Sequence, residues 1–166
     1  MNKYIIVAET GSDVPKEMAE EYGIYLVPMH VTFGDEMKDD GTFPTQEVCD
    51  YYDRTGKAPT TSGCNPEDFI KVFGDIRKEH PDAYILYLAY SAATTCSYQS
   101  AKIAAEDDDK VLFVDTRQVC IGQASVVIRM AEEIKKSIKN KGFKKITYGL
   151  CLQANTLTLW YFSIEY

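Results

Sequence analysis

The sequence predicts an α/β fold of three layers (α/β/α), with a mainly parallel sheet between two layers of helices. Short apolar runs, typical of strands buried on both faces, alternate along the chain with segments of helical character. This alternation favours a parallel sheet, because each crossover between parallel strands needs an element that packs back on the sheet. The strands are predicted at residues 4–8, 83–90 and 111–114, with 83–90 as the central one.

The first half of the chain carries clear signals for the ends of its elements. Pro15 opens a predicted helix over residues 16–22, and Gly23 ends it, since glycine tolerates the left-handed conformation. An extended segment (residues 24–33) and a hairpin (residues 34–41) are predicted next. A helix over residues 45–52, with Thr45 as its cap, follows. A loop (residues 59–66) then leads into a helix over residues 67–79 that has one apolar stripe.

Two further helices complete the predicted fold. An alanine-rich segment predicts a helix over residues 98–106, with Ser97 as a candidate N-cap. A longer helix is predicted over residues 122–139. Its apolar positions, which we expect to face the sheet, are Val126, Val127, Met130, Ala131 and Ile134.

Composition narrows the class of protein. The 166 residues are enough for one domain with a real core, and the formal charge of −7 argues against a nucleic-acid partner. Five cysteines without a C-x-x-C pair argue against a disulfide framework or a structural zinc site. No apolar run approaches the roughly 20 residues that span a bilayer. We therefore expect a cytoplasmic protein without a membrane span.

A ligand site is predicted at one edge of the sheet. The loops after residues 8, 90 and 114 all follow the carboxyl ends of predicted parallel strands, where ligands of open α/β sheets bind. The loop at residues 91–97 holds only small or hydroxyl-bearing residues and one cysteine, and it leads into a helix N-terminus, which favours an anion. The competing interpretation is that these loops only cap three helices.

The residues of these loops indicate binding rather than catalysis. His30 and His80 lie outside them, and the chain has no phosphate-binding glycine motif. An enzyme that uses Glu9, Asp13 and Asp115, with or without a divalent metal, remains an alternative. The cysteines near the loops have no basic neighbour in sequence that would lower a thiol pKa, so we interpret them as inert.

Five segments resemble the DegV family of bacterial fatty-acid-binding proteins, and they occur in the family's order. The family patterns are D-S-T-A-D-L-P, P-L-x-V-x-F-G-D-E, T-S-Q-P-S-P-E-D-F, S-S-x-L-S-G-T-Y-Q-S-A, and V-D-S with a later G-Q-G. The corresponding segments here are ETGSDVP from Glu9, PMHVTFGDE from Pro28, TSGCNPEDF from Thr61, SAATTCSYQSA from Ser91, and VDT from Val114 with Gly122-Gln123. The resemblance covers residues 1 to about 133 well.

The resemblance implies a protein that is not an enzyme and needs no cofactor or metal. It would hold a long-chain fatty acid and present it to a separate fatty-acid kinase for phosphorylation. Carried over to this chain, the hydroxyls that hold the fatty-acid carboxylate are those of Thr61, Ser62 and Thr95. Further pocket residues are expected at Ser91, Thr94, Cys96, Thr10, Asp115 and Gly122.

The chain departs from the family pattern in three places. Cys96 replaces a glycine, which would cost conformational energy if that position needed a positive φ. Gly63-Cys64-Asn65 replaces Q-P-S, and so removes a proline. The family also continues into a second lobe after this length.

We therefore expect residues 1–150 to form the N-terminal lobe and residues 151–166 to begin the connection to a second lobe that is missing, so that the chain is truncated. A remnant that binds nothing is then a further alternative. The apolar segment from Leu157 to Ile164 is expected to mediate self-association, because it would otherwise be exposed.

Overall fold

The computed structural model describes residues 3–139, 149–153 and 156–160, with side chains described up to residue 136. Within these residues it shows nine strands, five α-helices and a short 3-10 turn at Thr10–Ser12. The strands are β1 Tyr4–Glu9, β2 Tyr25–Val27, β3 His30–Phe33, β4 Glu36–Asp39, β5 Thr60–Ser62, β6 Tyr84–Ala89, β7 Val111–Asp115, β8 Gly149–Gln153 and β9 Thr156–Trp160. The helices are α1 Lys16–Tyr22, α2 Gln46–Thr55, α3 Pro66–Glu79, α4 Ser97–Ala104 and α5 Cys120–Lys139.

The central sheet has the order β2-β1-β6-β7, and all of its strands are parallel. Ile5 of β1 pairs with Ile85 of β6, and Leu86 of β6 pairs with Leu112 of β7. The predicted α/β class and the predicted central position of β6 are therefore confirmed. Because the strands are parallel, the loops after β1, β6 and β7 leave the sheet at the same edge.

Alternating side chains of the central strands build two apolar cores, one on each face of the sheet. Along β1, Ile5 and Val7 belong to one core, and Ile6 and Ala8 belong to the other. The first core contains Phe69, Phe73 and Ile76 of α3 and Ala101 of α4. The second contains Ala19 of α1 and Val127, Met130, Ala131 and Ile134 of α5. Helices thus cover both faces, as the three-layer prediction requires.

The predicted extended segment at residues 24–33 is two strands in two different sheets. β2 pairs with β1 in the parallel sheet, whereas β3 pairs with β4 and β5 in a separate antiparallel sheet of order β4-β3-β5. Pro28 lies between the two strands, and proline cannot donate a hydrogen bond to a sheet. The prediction of a continuous extended segment was wrong at this point.

Three local predictions also need correction. Residues 60–62 form β5 rather than loop, with Val31 of β3 opposite Thr61. Thr45 has helical φ and ψ and makes no capping hydrogen bond with its side chain. Ser97 is the first residue of α4 rather than its cap, and its hydroxyl accepts a hydrogen bond from the Cys64 backbone N–H (3.0 Å).

Candidate functional site

A cavity of about 410 Å³ lies at the carboxyl edge of the central sheet. Its walls come from the β2–β3 connection, from β5 with the residue after it, and from the loop that follows β6. The lining residues are Met29, Thr61, Ser62, Gly63, Tyr90, Thr94, Thr95 and Cys96. The structure thus brings together Thr61, Ser62 and Thr95, the three residues predicted to hold a carboxylate.

Gly63 allows the two hydroxyl-bearing segments to approach each other. A Cβ atom at Gly63 would lie 2.3 Å from Thr95 Oγ1 and 2.8 Å from Ser97 Oγ, both closer than real Cβ atoms come. The neighbouring Cys64 N–H donates to Ser97 Oγ, which ties the end of β5 to the start of α4. Glycine at this position therefore lets the segment around Ser62 lie directly against Thr95.

Hydrogen bonds within the loop at 91–97 orient its hydroxyls. Thr95 Oγ1 lies 3.0 Å from Ser97 Oγ and accepts a hydrogen bond from the Ser97 backbone N–H (3.3 Å). The Thr94 hydroxyl donates to the Ser91 carbonyl (2.9 Å). The Thr94 hydroxyl hydrogen is therefore already used within the loop, whereas the Thr95 hydroxyl can donate to a ligand when Ser97 Oγ is the donor of their contact.

The further residues predicted for the pocket fall into two groups. Thr94 and Cys96 line the 410 Å³ cavity. The remaining four lie outside its lining: Ser91, Thr10, Asp115 and Gly122. Cys96 has φ −79°, so the conformational cost considered for a residue in place of glycine does not arise.

Asp115 has a structural position at the edge of the sheet. Its Oδ1 accepts hydrogen bonds from the backbone N–H groups of Ala92 (3.2 Å) and Arg117 (2.9 Å). It therefore fastens the loop after β6 to the loop after β7.

Sequence reasoning missed Met29 and Tyr90, which form the apolar part of the wall. Tyr90 directly follows the central strand β6, and Met29 lies between β2 and β3. Their positions next to strand ends are the feature of the sequence that could have predicted them as site residues. The Tyr90 hydroxyl lies 3.5 Å from Cys120 Sγ, and burial together with this hydrogen bond raises the pKa of Tyr90 to about 12. The tyrosine is therefore neutral at physiological pH.

A larger cavity of about 740 Å³ lies between α1, β2 and the turn after β4. Thr10 borders it, but four carboxylates and one lysine dominate its polar lining: Asp13, Glu20, Asp39, Asp40 and Lys16. This excess of negative charge disfavours an anionic ligand. The 410 Å³ cavity has no carboxylate in its lining and suits an anion better.

Glu9, predicted as a loop residue, is the last residue of β1 and is fully buried. Its carboxyl group accepts hydrogen bonds from the Tyr87 hydroxyl, the Tyr90 N–H (3.0 Å) and Gln123 Nε2 (2.7 Å). Burial raises the pKa of Glu9, and these hydrogen bonds offset only part of that rise. Glu9 thus belongs to a polar network in the core, beneath the loop that starts at Tyr90.

The alternative of a metal-assisted enzyme gains no support from the part of the chain that the structure describes. In that part, no group of three or more His, Cys, Asp or Glu side chains is arranged to hold a metal ion. The three carboxylates of that alternative lie in different settings. Glu9 is buried in the core, Asp115 binds backbone N–H groups, and Asp13 is exposed.

Cys64 is a buried thiol at the end of the β5 segment. Its Sγ lies 3.7 Å from the carbonyl oxygen of Val27, and burial raises the pKa of the thiol. A protonated thiol is a poor nucleophile, which supports the prediction that Cys64 is inert. Cys96 and Cys120 are exposed.

Comparison with known proteins identifies the family. A family model described as "Uncharacterised protein, DegV family" matches residues 3–150. The chain belongs to the DegV family. A DegV domain-containing protein of Caldanaerobacter subterraneus is 30% identical over 133 residues, which are 79% of this chain and 47% of that protein. A fatty acid-binding protein of Thermotoga maritima is 28% identical over 163 residues, which are 88% of this chain and 56% of that protein.

Solved structures of DegV proteins share the fold. A fatty-acid-binding DegV family protein from Thermus thermophilus superposes with a TM-score of 0.74 at 27% identity, over 81% of this chain and 48% of that one. The chain spans about half the length of these curated relatives, which is consistent with the predicted N-terminal lobe. Among the described residues, no helix is both long and apolar enough to cross a membrane.

Proposed function

We propose that this chain binds a long-chain fatty acid and holds its carboxylate on the hydroxyls of Thr61, Ser62 and Thr95. The observation that supports this proposal is that these three residues line one cavity, which has no carboxylate in its lining. In the chain, Thr95 lies more than thirty residues from the adjacent pair Thr61 and Ser62, and Gly63 makes room for the two segments to approach each other.

The chemistry of the cavity fits a carboxylate head group with an apolar tail. Hydroxyl groups donate short, strong hydrogen bonds to a carboxylate, so two or three of them can hold it without a buried cation. Met29 and Tyr90 offer apolar surface to the first carbons of the chain. The named relatives that bind fatty acids support the same ligand class for this member of the family.

The proposed role is that of a carrier rather than an enzyme. The resemblance to the family supports a bound acid that is presented to a separate fatty-acid kinase, which phosphorylates the carboxylate. The cavity provides hydroxyl donors and no histidine, lysine or carboxylate, which suits holding an acid more than transforming it. Its position at an exposed edge of the sheet suits access by such a partner. A cytoplasmic location stays a prediction.

Conservative variants of the hydroxyl residues test this function. Ser62→Ala combined with Thr95→Val should weaken binding of palmitate by about a hundredfold or more, because each of the two lost hydrogen bonds to a charged group is worth roughly 1.5–3 kcal/mol. Binding of palmitate methyl ester should change far less, since the ester carries no charge. The measurement is a fluorescence displacement titration with both ligands.

Thr60→Val is the matched control, because Thr60 lies in the same strand but outside the cavity lining. It should bind both ligands like the unmodified chain. Equal losses for acid and ester in the double variant would contradict the carboxylate assignment. Absence of binding by the unmodified chain would contradict the function itself and favour the alternative of a remnant that binds nothing.

A further inference from the structure

His30 is buried between two carboxylates on different elements. It begins β3, is 5% exposed, and has Nδ1 3.1 Å from Asp39 Oδ1 of β4 and Nε2 2.8 Å from Asp68 Oδ2 of α3. An ionised carboxylate only accepts hydrogen bonds. Both ring nitrogens of His30 can donate at once only when the imidazole carries two protons and a positive charge.

Asp68 connects His30 to the segment that carries the cavity hydroxyls. Asp68 Oδ2 also accepts the Asn65 backbone N–H (2.8 Å), while the Asp68 N–H donates to Asn65 Oδ1 (3.1 Å). This capping box fixes the start of α3 just after Gly63 and Cys64. One atom of Asp68 thus joins the imidazole ring to the backbone that follows Ser62.

His30 also fixes the same segment from its other end. In the β3–β5 ladder, His30 is the residue opposite Ser62, and Val31 is opposite Thr61. The residue that pairs with Ser62 through the backbone therefore also binds the α3 cap through its side chain. Residues 61–65 are held on both sides by His30.

In the described part of the chain, two carboxylates on different elements are within hydrogen-bond distance of the ring. β4 contributes Asp39, α3 contributes Asp68, and β5 contributes only hydroxyl side chains. Cys64, which precedes Asn65, is kept neutral because burial raises its thiol pKa. A protonated His30 faces two carboxylates, of which Asp68 is partly buried and Asp39 is more exposed (16% and 52% side-chain exposure).

We propose that doubly protonated His30 is a positioning residue that holds Thr61 and Ser62 against the cavity, so that loss of one proton loosens this wall and weakens ligand binding. The proposal rests on the proposed function, because it assigns pH-dependent control to the same carboxylate site. Deprotonation leaves one ring nitrogen facing a carboxylate with no hydrogen between them. Such a buried, unsatisfied contact favours movement of Asp68 or of the segment bound to it.

Binding of a fluorescent long-chain fatty acid should be measured from about pH 6 to about pH 9, above the usual titration of a carboxylic acid and across that of imidazole. The affinity of the unmodified chain should fall by about fivefold over this range, at the low end of typical couplings between sites. His30→Gln should bind more weakly at the acidic end and show no such fall. If the affinity of His30→Gln fell with pH as much as that of the unmodified chain, the proposal would be overturned.

His80→Gln is the matched control, since the chain contains two histidines and His80 lies beside Lys3, away from the cavity. It should keep the pH profile of the unmodified chain. Asp39→Asn is a second variant that removes one of the two carboxylates and leaves β4 in place. It should flatten the profile as well, so the proposal stays testable if His30→Gln does not fold.

Hydrogen exchange separates failure of this proposal from failure of the proposed function, because it needs no ligand. At about pH 6, where imidazole is normally protonated, the amides of residues 60–65 should lose protection in His30→Gln but not in His80→Gln. Equal protection in both variants overturns the positioning role. Loss of protection without fatty-acid binding at any pH upholds the positioning role and contradicts only the ligand assignment.

Discussion

At the scale of single residues, Glu9 shows how a carboxyl group is kept in an apolar core. Three groups donate hydrogen bonds to this carboxyl group: the Tyr87 hydroxyl on β6, the backbone N–H of Tyr90 just after β6, and the Gln123 amide on α5. Burying a charged carboxylate is costly even with such partners, which is why the pKa of Glu9 is raised. The network therefore joins the end of β1 to the start of the loop that follows β6.

The raised pKa of Glu9 predicts a pH-dependent stability of known sign. A carboxyl group with a higher pKa in the folded state stabilises the fold fully below its unfolded value of 4.5, and this contribution is lost as the pH rises through the folded pKa. The unfolding free energy of the unmodified chain should therefore decline as the pH rises above 4.5, and Glu9→Gln should remove this decline. Urea unfolding across this range measures the decline.

Glu17→Gln on the exposed side of α1 is the matched control for Glu9→Gln. It should show the same decline as the unmodified chain. A Glu9→Gln profile that declines equally with pH would mean that Glu9 is not the group responsible.

At the scale of elements, α3 is fastened to the sheet by charge as well as by its apolar stripe. Arg77 donates to both oxygens of Asp108, through Nε (2.6 Å) and Nη2 (3.0 Å), and to the Ala83 carbonyl through Nη1 (2.6 Å). This paired geometry links the end of α3 to the turn before β7. Burial raises the pKa of Asp108, but the hydrogen bonds from Arg77 and from the Lys110 N–H lower it more, so that the net shift is downward.

Asp108→Asn should destabilise the protein by about 1 kcal/mol at neutral pH, because it weakens a charge-assisted pair that is only partly exposed. A carboxyl group with a lowered pKa stabilises the fold above its unfolded value of 3.8, and this contribution is lost as the pH falls through the folded pKa. The difference between variant and unmodified chain should therefore shrink in acid. Thermal unfolding at several pH values measures it.

Asp82→Asn gives the comparison for an exposed ion pair. Asp82 is 96% exposed and lies 3.3 Å from Lys110 Nζ. Solvent screens such pairs, so its loss should change stability by less than about 0.5 kcal/mol. Equal effects of the Asp108 and Asp82 substitutions would contradict a special role for the Arg77 pair.

At the scale of the whole molecule, β8 and β9 form a two-stranded antiparallel sheet, separate from the central sheet in the described part of the chain. Two-stranded sheets are marginal in water by themselves, and an open strand edge can pair with another chain. β9 covers the first part of the segment from Leu157 to Ile164 that is predicted to self-associate. Residues 161–164 lie outside the described residues.

Sedimentation velocity at low micromolar concentration tests self-association through this segment. We expect a dimer or larger species, and Leu159→Lys should shift it toward monomer because a charge on an edge strand opposes pairing. Ile70→Lys, at an exposed apolar position of α3, is the control and should leave the oligomer unchanged. A monomer for the unmodified chain at these concentrations would contradict the prediction.

The sequence by itself determined the architecture of the central parallel sheet and predicted the edge of that sheet where the candidate site lies. Buried apolar runs at 4–8, 83–90 and 111–114 are sufficient to predict parallel strands, because each run is local and each is followed by a helical segment. Pro15 and Gly23 mark α1 by their own backbone preferences. The common edge of the strand loops then follows from handedness and strand direction alone.

Only the tertiary structure decided which groups meet at that edge and in the core. The Thr-Thr-Ser strand β5 has no apolar alternation, and it forms because β3 lies opposite it. His30 meets carboxylates nine and 38 residues away, and Glu9 is buried by Tyr87 and Gln123, which are 78 and 114 residues away. Such contacts depend on how separate elements pack, since no local propensity specifies a partner so distant in the chain.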